Sequence, residues 1–516
     1  MDDYTRELID ELFAETPTPS TPPDPETRTQ IEKMAADAES ATTTGSILDL
    51  FSLLKRLRQE DGQTPEVFGL SRERLADLSQ QHEDLDEHHV TVGGRLNRAR
   101  PIVEAANARV DEYLRDRKTE APSGIELWEV ILQNQERIQS QLNMGNDDWS
   151  SYSGQLKNCI DSVDTLAEIV DLSPEVIADV TRVTRRYRMR MTPYYASLIR
   201  PGIVNDPVLL QSVPTAEMVD NVGVEIPPVA ADHSPARLID QFYPRTVTIK
   251  VTNMCAMYCT HCLRIAHIGK KDTIYPEAAY GEALEYIRQN DRIRDVLITG
   301  GDAFVLPNRM IRKILDALDG IDHVHMKRLG TRIPVTAPMR VDDELLDILE
   351  ASNDRKPVRV VTQINTAQEI TPVSRTAFKE ISKRVSAVLN QAVLLKGIND
   401  TRVKMWKLCE TIQESYVRPY YIFNCSYRNP QFMHFRVPVE TGRDIVESMY
   451  GNLSGDAIPR YIATAGGKIP LHRSNVLEQR GDTVILRKPW SGETVEYPDP
   501  DPADYARDDF SFNRYN

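Results

Sequence analysis

Three of the six cysteines of the chain lie within eight residues, in the run Cys255-Ala-Met-Tyr-Cys259-Thr-His-Cys262. Thiolates at this C-x3-C-x2-C spacing can each bind one iron of a cubane [4Fe–4S] cluster, which leaves the fourth iron without a protein ligand. The alternative is a structural zinc site, which normally has four protein ligands. His261 could supply the fourth, but its place directly before Cys262 suits a tetrahedron poorly, so the spacing favours the cluster.

The iron without a protein ligand indicates a specific chemistry. The amine and carboxylate of S-adenosylmethionine (SAM) can chelate such an iron, and an electron from the cluster then cleaves the sulfonium to release a 5′-deoxyadenosyl radical. A second motif, Val296-Leu-Ile-Thr-Gly300-Gly301-Asp302, ends in two glycines that permit close approach of a ligand and a carboxylate that can accept the SAM ammonium group. We therefore predict a radical SAM enzyme in which Gly300, Gly301 and Asp302 contact SAM.

The elements that must position these residues alternate between two patterns after Pro244. Short β-branched runs, typical of strands, are separated by segments of about one helix length. The predicted strands are Val247–Val251, Val296–Thr299, His323–Met326, Val358–Thr362 and Val388–Leu395. This repeat predicts an α/β fold with a parallel sheet, closed or partly closed into a (β/α) barrel. Barrel enzymes place their chemistry at the carboxyl ends of the strands, where the cysteine run and Asp302 both fall.

We predict four segments along the chain, of which residues 236–475 form the barrel. Residues 46–235 are helical, since Leu, Ile and Phe recur at three- and four-residue spacing while Pro and Gly are scarce. Residues 1–45 are mostly disordered or form a short helix, with a proline-rich linker at 13–28. Residues 476–516 form a C-terminal strand and a tail, which we expect to be loosely ordered from about residue 496 onward because prolines alternate there with acidic residues.

The bulk composition excludes several classes of protein. With 516 residues, 41% hydrophobic and 27% charged, the chain is typical of globular proteins. A formal net charge of −15 argues against a nucleic-acid partner, because phosphate binding requires clustered Lys and Arg. Neither a signal peptide pattern nor a long apolar stretch is present, so we expect no membrane partner and a cytoplasmic location. The isolated Cys159, Cys409 and Cys425 fit ordinary thiols of a reducing compartment.

From about Trp149 to Pro489 the chain resembles the lysine 2,3-aminomutase family of radical SAM enzymes, which also use pyridoxal 5′-phosphate (PLP). The resemblance implies a radical SAM partial barrel, a [4Fe–4S] cluster, SAM and PLP, and a reaction that moves the α-amino group of a free amino acid to C3. It also implies a small-molecule amino acid substrate, a reductant such as flavodoxin or ferredoxin, and a homo-oligomer. Besides the cysteine and Gly-Gly-Asp motifs, the matching stretches are Met191-Thr-Pro-Tyr-Tyr-Ala-Ser-Leu-Ile199, Tyr243-Pro244, Gly330-Thr-Arg332-Ile-Pro334, Asn390-Gln391-Ala-Val-Leu-Leu395-Lys-Gly-Ile-Asn-Asp400, Arg418-Pro-Tyr-Tyr421, His434-Phe-Arg436 and Gly466-Gly467-Lys468-Ile-Pro470.

The resemblance assigns roles to individual residues. Lys468 would bind PLP through an imine, and a glycine pair before it would let the lysine swing between cofactor and solvent. Tyr243 would pack on the pyridine ring. Gln363 and Gln391 fall on positions of the SAM site, and Gln363 stands where the family has histidine. Arg264 falls on the arginine that holds the substrate α-carboxylate, a task that suits a guanidinium group.

Two cofactor sites depart from the family pattern. The two arginines that bind the PLP phosphate in the family are replaced by Phe242 and Thr246, and the neighbouring Arg245 is the candidate to take over their task. The zinc cysteines of the family are also absent, since Thr401 follows Asn399-Asp400. We therefore expect no zinc.

The substrate site departs as well. The aspartates that grip the distal ammonium group of lysine are replaced by Ser426 and Thr464. Since burying an unpaired ammonium costs several kcal/mol, we predict that lysine is not the substrate. Arg428 and Arg460 on the same loops could receive a side-chain carboxylate, which favours glutamate or another acidic or polar amino acid.

Two alternatives stay open at this point. A related radical SAM and PLP enzyme could complete a desaturation or a deamination on this scaffold instead of the migration. A regulatory protein could keep the cluster without catalysis, although intact Arg264, Asp302 and Lys468 argue against it. The residues before Trp149 have no counterpart in the family, and their role is open.

Overall fold

The computed structural model describes the chain except for residues 1–2, 15–22, 40–44, 82–91, 204, 222–232, 269–270, 274 and 506–516. Contacts between Cα atoms divide the chain into two compact units, Met1–Arg109 and Val110–Asn516. The division falls inside residues 46–235, which we predicted as one helical segment, and the predicted segment limits stay predictions. All candidate site residues belong to the second unit.

The first unit is helical in its described parts. Its helices are α1 (Asp3–Phe13), α2 (Pro25–Glu39), α3 (Gly45–Asp61), α4 (Arg72–Gln81) and α5 (Val92–Ala108). Apolar side chains from the first four helices share a core of their own, as Leu12, Ile31, Leu50 and Leu75 illustrate.

The linker predicted at residues 13–28 is wrong in its last residues, because α2 begins at Pro25. Proline fits the first position of a helix, where no backbone N–H is needed. Asp24 caps the helix, since its carboxylate accepts the backbone N–H groups of Glu26 at 2.8 Å and Thr27 at 3.1 Å. Residues 15–22 of the predicted linker lie outside the described part of the chain.

The second unit begins with mostly short helices. Three of them begin with a polar cap followed by proline, and the caps are Ser173, Thr192 and Asp206. The core of these helices includes Met257 of the cysteine run, so this region packs directly against the candidate cluster loop. The helices are α6 (Asp111–Glu120), α7 (Trp128–Gln141), α8 (Asn146–Ser150), α9 (Tyr152–Lys157), α10 (Val163–Ile169), α11 (Pro174–Thr184), α12 (Pro193–Ser197), α13 (Pro207–Ser212) and α14 (Glu217–Asp220).

A curled sheet of nine strands, with the form of a half-barrel, follows these helices. The strands lie in chain order, so each strand pairs with the next one in sequence. Pairing from β2 to β8 is parallel, whereas β1 and β9 pair antiparallel at the two edges. The strands are β1 (Ile239–Tyr243), β2 (Thr246–Thr252), β3 (Asp295–Gly300), β4 (Met326–Gly330), β5 (Val358–Thr362), β6 (Ala387–Leu394), β7 (Arg418–Asn424), β8 (Arg460–Thr464) and β9 (Lys468–Pro470).

Helices between the strands cover the convex face of the sheet. Because side chains alternate along a strand, Val247, Ile249 and Val251 of β2 are buried in this apolar layer, whereas Thr248 and Lys250 face the concave side. The helices are α15 (Ile265–Ile268), α16 (Glu277–Gln289), α17 (Asn308–Asp319), α18 (Ile333–Thr336), α19 (Asp343–Arg355), α20 (Pro372–Arg384), α21 (Arg402–Gln413) and α22 (Val439–Glu447). The concave face therefore carries the polar side chains of the sheet.

The strand predictions are correct to within one residue at each end for β2, β3, β5 and β6. The strand predicted at His323–Met326 is wrong, because β4 begins at Met326. The sequence did not predict β4 correctly because two of its residues are basic, which is untypical of a buried strand. Lys327 is buried on the convex side in an ion pair with Asp319, and Arg328 lies on the concave side. The predictions missed β1, β7, β8 and β9.

The C-terminal segment is more ordered than expected. Instead of one strand and a loose tail, it forms an antiparallel sheet of β10 (Val476–Arg480), β11 (Thr483–Arg487) and β12 (Thr494–Pro498). Tyr497 and Asp499 are buried, and the Asp499 carboxylate accepts the backbone N–H of Val439 at 2.9 Å. These contacts fix the chain beyond residue 496, while residues 506–516 lie outside the described part.

Membrane-spanning helices are absent from the part of the chain that the structure describes. None of the helices there is both long and apolar enough to cross a bilayer, for which about 20 apolar residues are needed.

Candidate active site

The cysteine run forms the loop directly after β2, at the carboxyl end of that strand. Its three thiols lie within electrostatic range of one another: burial, then Asp302, then Cys262 and Cys259 raise the pKa of Cys255. Burial, followed by Cys259, also raises the pKa of Cys262 to about 12. Free thiols at Cys255 and Cys262 are therefore protonated at neutral pH, and binding of iron would displace the protons.

The donor set suits a cluster. Three cysteine thiols on one loop match the three protein ligands of a [4Fe–4S] cubane whose fourth iron stays open. Among the described residues, no group of three His, Cys, Asp or Glu side chains is arranged to hold a single metal ion.

Asn253 closes the cysteine loop at its start. Its side-chain amide donates to the carbonyl of Ile268 at 3.2 Å and to that of Lys271 at 3.0 Å, and its oxygen accepts the N–H of Thr273 at 2.9 Å. On the other side of the loop, the Thr260 hydroxyl donates to the carbonyl of Leu210 at 2.9 Å. The backbone around the cysteines is thus fixed from both sides.

The two glycines after β3 pack against this same loop. A Cβ at Gly300, whose φ is +121°, would lie 2.4 Å from the Thr252 carbonyl oxygen, and one at Gly301 would lie 2.2 Å from that of Met254. We predicted that these glycines give a ligand room to approach. The structure shows that they are needed first for the close contact between the end of β3 and the cysteine loop.

Asp302 is buried beneath the loop, and both of its carboxylate oxygens accept backbone hydrogen bonds. Oδ1 accepts the N–H of Phe304 at 3.0 Å, and Oδ2 accepts the N–H of Arg332 at 2.6 Å. Burial raises the pKa of Asp302, although these hydrogen bonds and one from Thr331 act in the opposite direction.

Arg332 connects the cysteine loop to a buried polar network, which the sequence did not reveal. Its Nη1 donates to the Sγ of Cys259 at 2.7 Å, and its Nη2 pairs with the fully buried Glu369 and donates to Gln211 Oε1 at 3.1 Å. The hydroxyl of Tyr195 also donates to Glu369, at 3.0 Å. The signal that could have identified Arg332 is its place in the motif Gly330-Thr-Arg332-Ile-Pro334 after β4.

His261 and Gln363 contact each other beside this network. The Nε2 of His261 lies 3.2 Å from Gln363 Oε1 and 3.2 Å from Asn365 Nδ2. Burial and then the charge of Arg332 lower the pKa of His261 to about 3, so the ring is neutral. The Nε2 of His261 is therefore engaged with amide side chains.

Arg264 and Gln391 both face the concave side near the carboxyl ends of the strands. Arg264 follows the cysteine run, and its Nη1 donates to the Thr299 hydroxyl at 3.3 Å, next to Gly300. Gln391 is a partly exposed residue of β6, flanked by the buried Asn390 and Ala392. The structure therefore brings Arg264 to the Gly300-Gly301-Asp302 turn, and it leaves the Gln391 side chain accessible.

Lys468 lies at the opposite edge of the half-barrel, where it begins β9. Its Nζ is 4.7 Å from the ring centroid of Tyr421 and 5.8 Å from that of Phe423. Burial lowers the pKa of Lys468, so a larger fraction of its amine is neutral than for an ordinary lysine. The glycine pair before it was expected to be a flexible hinge, but Gly466 and Gly467 form the β8–β9 turn and hold Lys468 within a strand.

Tyr243 lies next to Lys468, whereas Arg245 is exposed. The backbone of Lys468 forms a hydrogen bond with Tyr243, whose pKa is nevertheless raised by burial. Arg245 is exposed in the β1–β2 turn, and its carbonyl accepts the N–H groups of Arg294 at 3.1 Å and Asp295 at 3.2 Å. Phe242 is 58% exposed.

Comparison with known proteins identifies the family. Residues 249–405 match the Radical SAM superfamily. Glutamate 2,3-aminomutase of Clostridioides difficile (strain 630) is 38% identical over 404 residues, which cover 78% of this chain and 94% of that protein. The L-lysine 2,3-aminomutases of Fusobacterium nucleatum and Clostridium subterminale are each 35% identical, over 70% and 69% of this chain and 84% and 86% of their own lengths. The chain belongs to the radical SAM amino acid 2,3-aminomutase family.

Membership of this family confirms the predicted half-barrel fold and the prediction of an aminomutase-family enzyme. A radical SAM enzyme requires a [4Fe–4S] cluster and SAM, and the aminomutase relatives point to PLP as a third cofactor. The relatives are named for two different amino acids, glutamate and lysine, so the family leaves the substrate of this aminomutase undecided.

The substrate-side residues of this aminomutase make few contacts with one another. The Ser426 hydroxyl accepts the N–H of Arg428 at 3.2 Å, and the Arg428 guanidinium lies 5.9 Å from the ring centroid of Tyr427. Thr464 is exposed at the carboxyl end of β8, where it pairs with Lys468.

Arg460 does not belong with Arg428, contrary to our expectation that the same loops bring the two together. Arg460 begins β8, four residues before Thr464, and its register partner is Tyr421. Its guanidinium lies 5.8 Å from the ring centroid of Tyr420 and 6.0 Å from that of Tyr421. Arg428 follows β7 at the other end, so the two arginines lie at opposite ends of the strands.

Proposed function

We propose that this aminomutase moves the α-amino group of glutamate, or of another acidic or polar amino acid, from C2 to C3. The observation that carries the proposal is the charge on the concave face. Its acidic residues in the described strands are already paired: Asp240 with Lys250 at 2.8 Å, and Asp295 with Arg328 at 2.8 Å. A substrate ammonium group would therefore find no unpaired carboxylate on these strands, and burying it unpaired would cost several kcal/mol.

The proposed cofactor sites follow from the geometry around the sheet. Cys255, Cys259 and Cys262 would hold the cluster, and Asp302 with the two glycines before it, Gln363 and Gln391 would contact SAM. Lys468 would hold PLP, with Tyr243 against the cofactor ring, whereas the exposed position of Arg245 disfavours it as a ligand of the phosphate. When bound, the cluster and SAM supply a carbon-centred radical, and PLP supplies a conjugated system that spreads the unpaired electron.

The chain itself would contribute positioning and exclusion of water. Arg264 would bind the substrate α-carboxylate from the turn after β3, because its guanidinium already lies against Thr299 there. Ser426 and Thr464 would border the distal end of the substrate, and Arg428 would receive a side-chain carboxylate. The amine of Lys468 is partly neutral because burial lowers its pKa, which suits covalent attachment of an aldehyde cofactor.

The proposal also includes partners that lie outside the chain. Reduction of a cluster requires a one-electron donor, for which flavodoxin or ferredoxin is the expected class, and a homo-oligomer stays a prediction. A regulatory protein without catalysis is disfavoured by the match to aminomutases over most of their length. Desaturation and deamination on the same scaffold stay as rivals that differ in their products.

Product analysis with glutamate labelled with ¹⁵N tests the proposal. Enzyme with reconstituted cluster, PLP and SAM is reduced and incubated with the labelled substrate, and the products are resolved by mass spectrometry. Migration gives an isomer of glutamate that retains the label, desaturation gives a product that lacks two hydrogens, and deamination releases labelled ammonia. Absence of the isomer, with either of the other products present, would replace the aminomutase proposal by the corresponding rival.

A further inference from the structure

Two arginines stand side by side on the concave face of the sheet. Val358 and Val360 of β5 are fully buried against the helices, so alternation along the strand places Arg359 on the opposite, concave side. Arg328 of β4 is the direct register partner of Arg359. Partners in neighbouring parallel strands project to the same side of the sheet, at a strand spacing of roughly 4.8 Å.

One carboxylate, that of Asp295, forms an ion pair with the two arginines, so their positive charges are not balanced. Arg328 donates from Nε to Asp295 at 2.8 Å, and these side chains are 12% and 25% exposed. The Nε of Arg359 is buried and has no hydrogen-bond partner among the described residues, and no described carboxylate forms an ion pair with this arginine. A buried N–H donor without a partner is costly, and two guanidinium groups side by side repel each other. An anion bound on the concave side would therefore stabilise the two arginines.

The surroundings of Lys468 show the same excess of positive charge. Burial and the charge of Arg328 lower the pKa of Lys468, while Tyr421 and Asp295 act in the opposite direction. Burial tends to raise the pKa of Tyr421, but its hydrogen bond with Tyr420 and the charges of Lys468 and Arg460 bring that pKa below its usual value. Lys468 thus lies within electrostatic reach of Arg328, the register partner of Arg359.

A cofactor attached at Lys468 would bring a suitable anion. PLP carries its phosphate on a hydroxymethyl group, which is attached to the ring carbon next to the one that bears the aldehyde. The phosphate must therefore lie close to the lysine that holds the aldehyde. The family arginines that bind this phosphate are replaced here by Phe242 and Thr246. Arg245, the neighbouring candidate, is exposed in the β1–β2 turn.

We propose that Arg359, with Arg328 beside it, binds the 5′-phosphate of PLP in this aminomutase. The inference rests on the proposed function, because it assumes that Lys468 holds PLP. A planar guanidinium can bind two phosphate oxygens at once, and Arg328 remains fixed by Asp295 while Arg359 is available for the ligand. The phosphate site has thus moved from the β1–β2 edge to β4 and β5.

The test compares two ligands that differ in the phosphate alone. PLP and pyridoxal are titrated into cluster-loaded wild-type enzyme and into the Arg359→Gln and Arg359→Lys variants, and binding is followed by the absorbance of the lysine-bound cofactor. Loss of one charge-assisted interaction should weaken PLP binding about 10- to 100-fold in Arg359→Gln. Pyridoxal binding should change less than about twofold, and Arg359→Lys, which retains charge without the planar fork, should lie between wild type and Arg359→Gln.

Several outcomes would overturn the proposal. Equal losses for PLP and pyridoxal would indicate general damage to the site, and no loss for either would remove Arg359 from it. A phosphate-specific loss in Arg245→Gln, with none in Arg359→Gln, would assign the phosphate to the β1–β2 turn. If Arg359→Gln fails to fold, Arg359→Lys carries the same comparison. If PLP attaches to no lysine of the wild-type enzyme, both the proposed cofactor and the arginine site are wrong. If PLP attaches at Lys468 but Arg359→Gln shows no phosphate-specific loss, the arginine site alone is wrong.

Discussion

Two groups of functional side chains in the half-barrel are held in different ways. We call Asn253 to Cys262 with Asp302, Arg332 and Glu369 the cluster half, and Tyr243, Tyr421, Ser426, Thr464 and Lys468 the lysine half. In the cluster half, short polar contacts fix the side chains, such as Arg332 to Cys259 Sγ at 2.7 Å. In the lysine half, the principal contacts are cations over aromatic rings, such as Lys468 over Tyr421 at 4.7 Å.

This difference indicates which side chains of the enzyme are preorganised and which can differ between family members. Radical generation needs one fixed arrangement of cluster and SAM, and the cluster half satisfies most of its buried polar groups within the protein. In the lysine half, the Lys468 amine lies against the rings of Tyr421 and Phe423, and Thr464 is exposed. Departures from the lysine aminomutase pattern, at Ser426 and Thr464, accordingly fall in the lysine half. The predictions below separate the two halves.

The largest effect is expected from the cluster half. Replacing Cys255, Cys259 or Cys262 by alanine should abolish SAM cleavage, measured as release of 5′-deoxyadenosine by the reduced enzyme, because a cubane that lacks one thiolate loses its anchor. The matched control is Cys159→Ala, whose thiol lies outside the loop and donates to the Gln155 carbonyl at 3.4 Å. Undiminished cleavage in any of the three loop variants would contradict the cluster assignment.

In the lysine half, Lys468→Ala should abolish amino acid turnover while slow SAM cleavage continues. The physical reason is that the variant retains the radical-generating half and loses the amine that attaches the cofactor. Borohydride treatment of wild-type enzyme, followed by peptide mapping, should place the reduced cofactor on Lys468, and Lys468→Arg, which keeps a positive charge, should carry none. A label on another lysine, such as Lys250 of β2, would refute this assignment.

Arg332 should influence the cluster without touching amino acid binding. In Arg332→Gln the hydrogen bond to Cys259 loses its charge, so the reduction potential of the cluster should fall by on the order of tens of millivolts in an EPR-monitored titration. The variant should also lose about 3–5 kcal/mol of stability, since Glu369 is left buried without its cation. The double variant Arg332→Gln/Glu369→Gln should recover stability but not potential. An unchanged potential in both variants would show that the contact does not tune the cluster.

The smallest effect is a shift in pH dependence. Burial lowers the pKa of Lys468, so the neutral amine becomes available at a lower pH than in an ordinary lysine. The rate of PLP attachment to cofactor-free enzyme should therefore rise about tenfold per pH unit and level off below the ordinary lysine pKa. Tyr421→Phe removes a group that raises this pKa, so its profile should shift further toward low pH. A midpoint at or above the ordinary lysine value would contradict the burial of the amine.

The sequence predicts the cluster half better than the lysine half, because the residues that identify the cluster half are close together in the chain. The three cysteines lie within one loop, and Gly300-Gly301-Asp302 ends a strand with a clear β-branched run. The contact between Arg332 and Cys259 joins residues 73 positions apart, so it depends on how β2 and β4 pair with the strand between them.

The arginine pair shows a second limit of sequence reasoning. Val358–Thr362 was predicted as a strand, but the neighbouring strand was placed at His323–Met326, ahead of Arg328. Only the register of β4 and β5 makes Arg328 the partner of Arg359. Lys468 was identified through its motif, yet its strand, its turn and its contact with Tyr421 follow from tertiary pairing that no local pattern encodes.

A competition between glutamate and lysine tests the central claim most directly. Equal concentrations of the two amino acids are supplied to the reduced enzyme with SAM and PLP, and the ratio of the two β-amino acid products gives the ratio of kcat/KM values. The unpaired ammonium of lysine should cost several kcal/mol, so the glutamate product should dominate by roughly a thousandfold. A mixture in which the lysine product dominates would contradict the account.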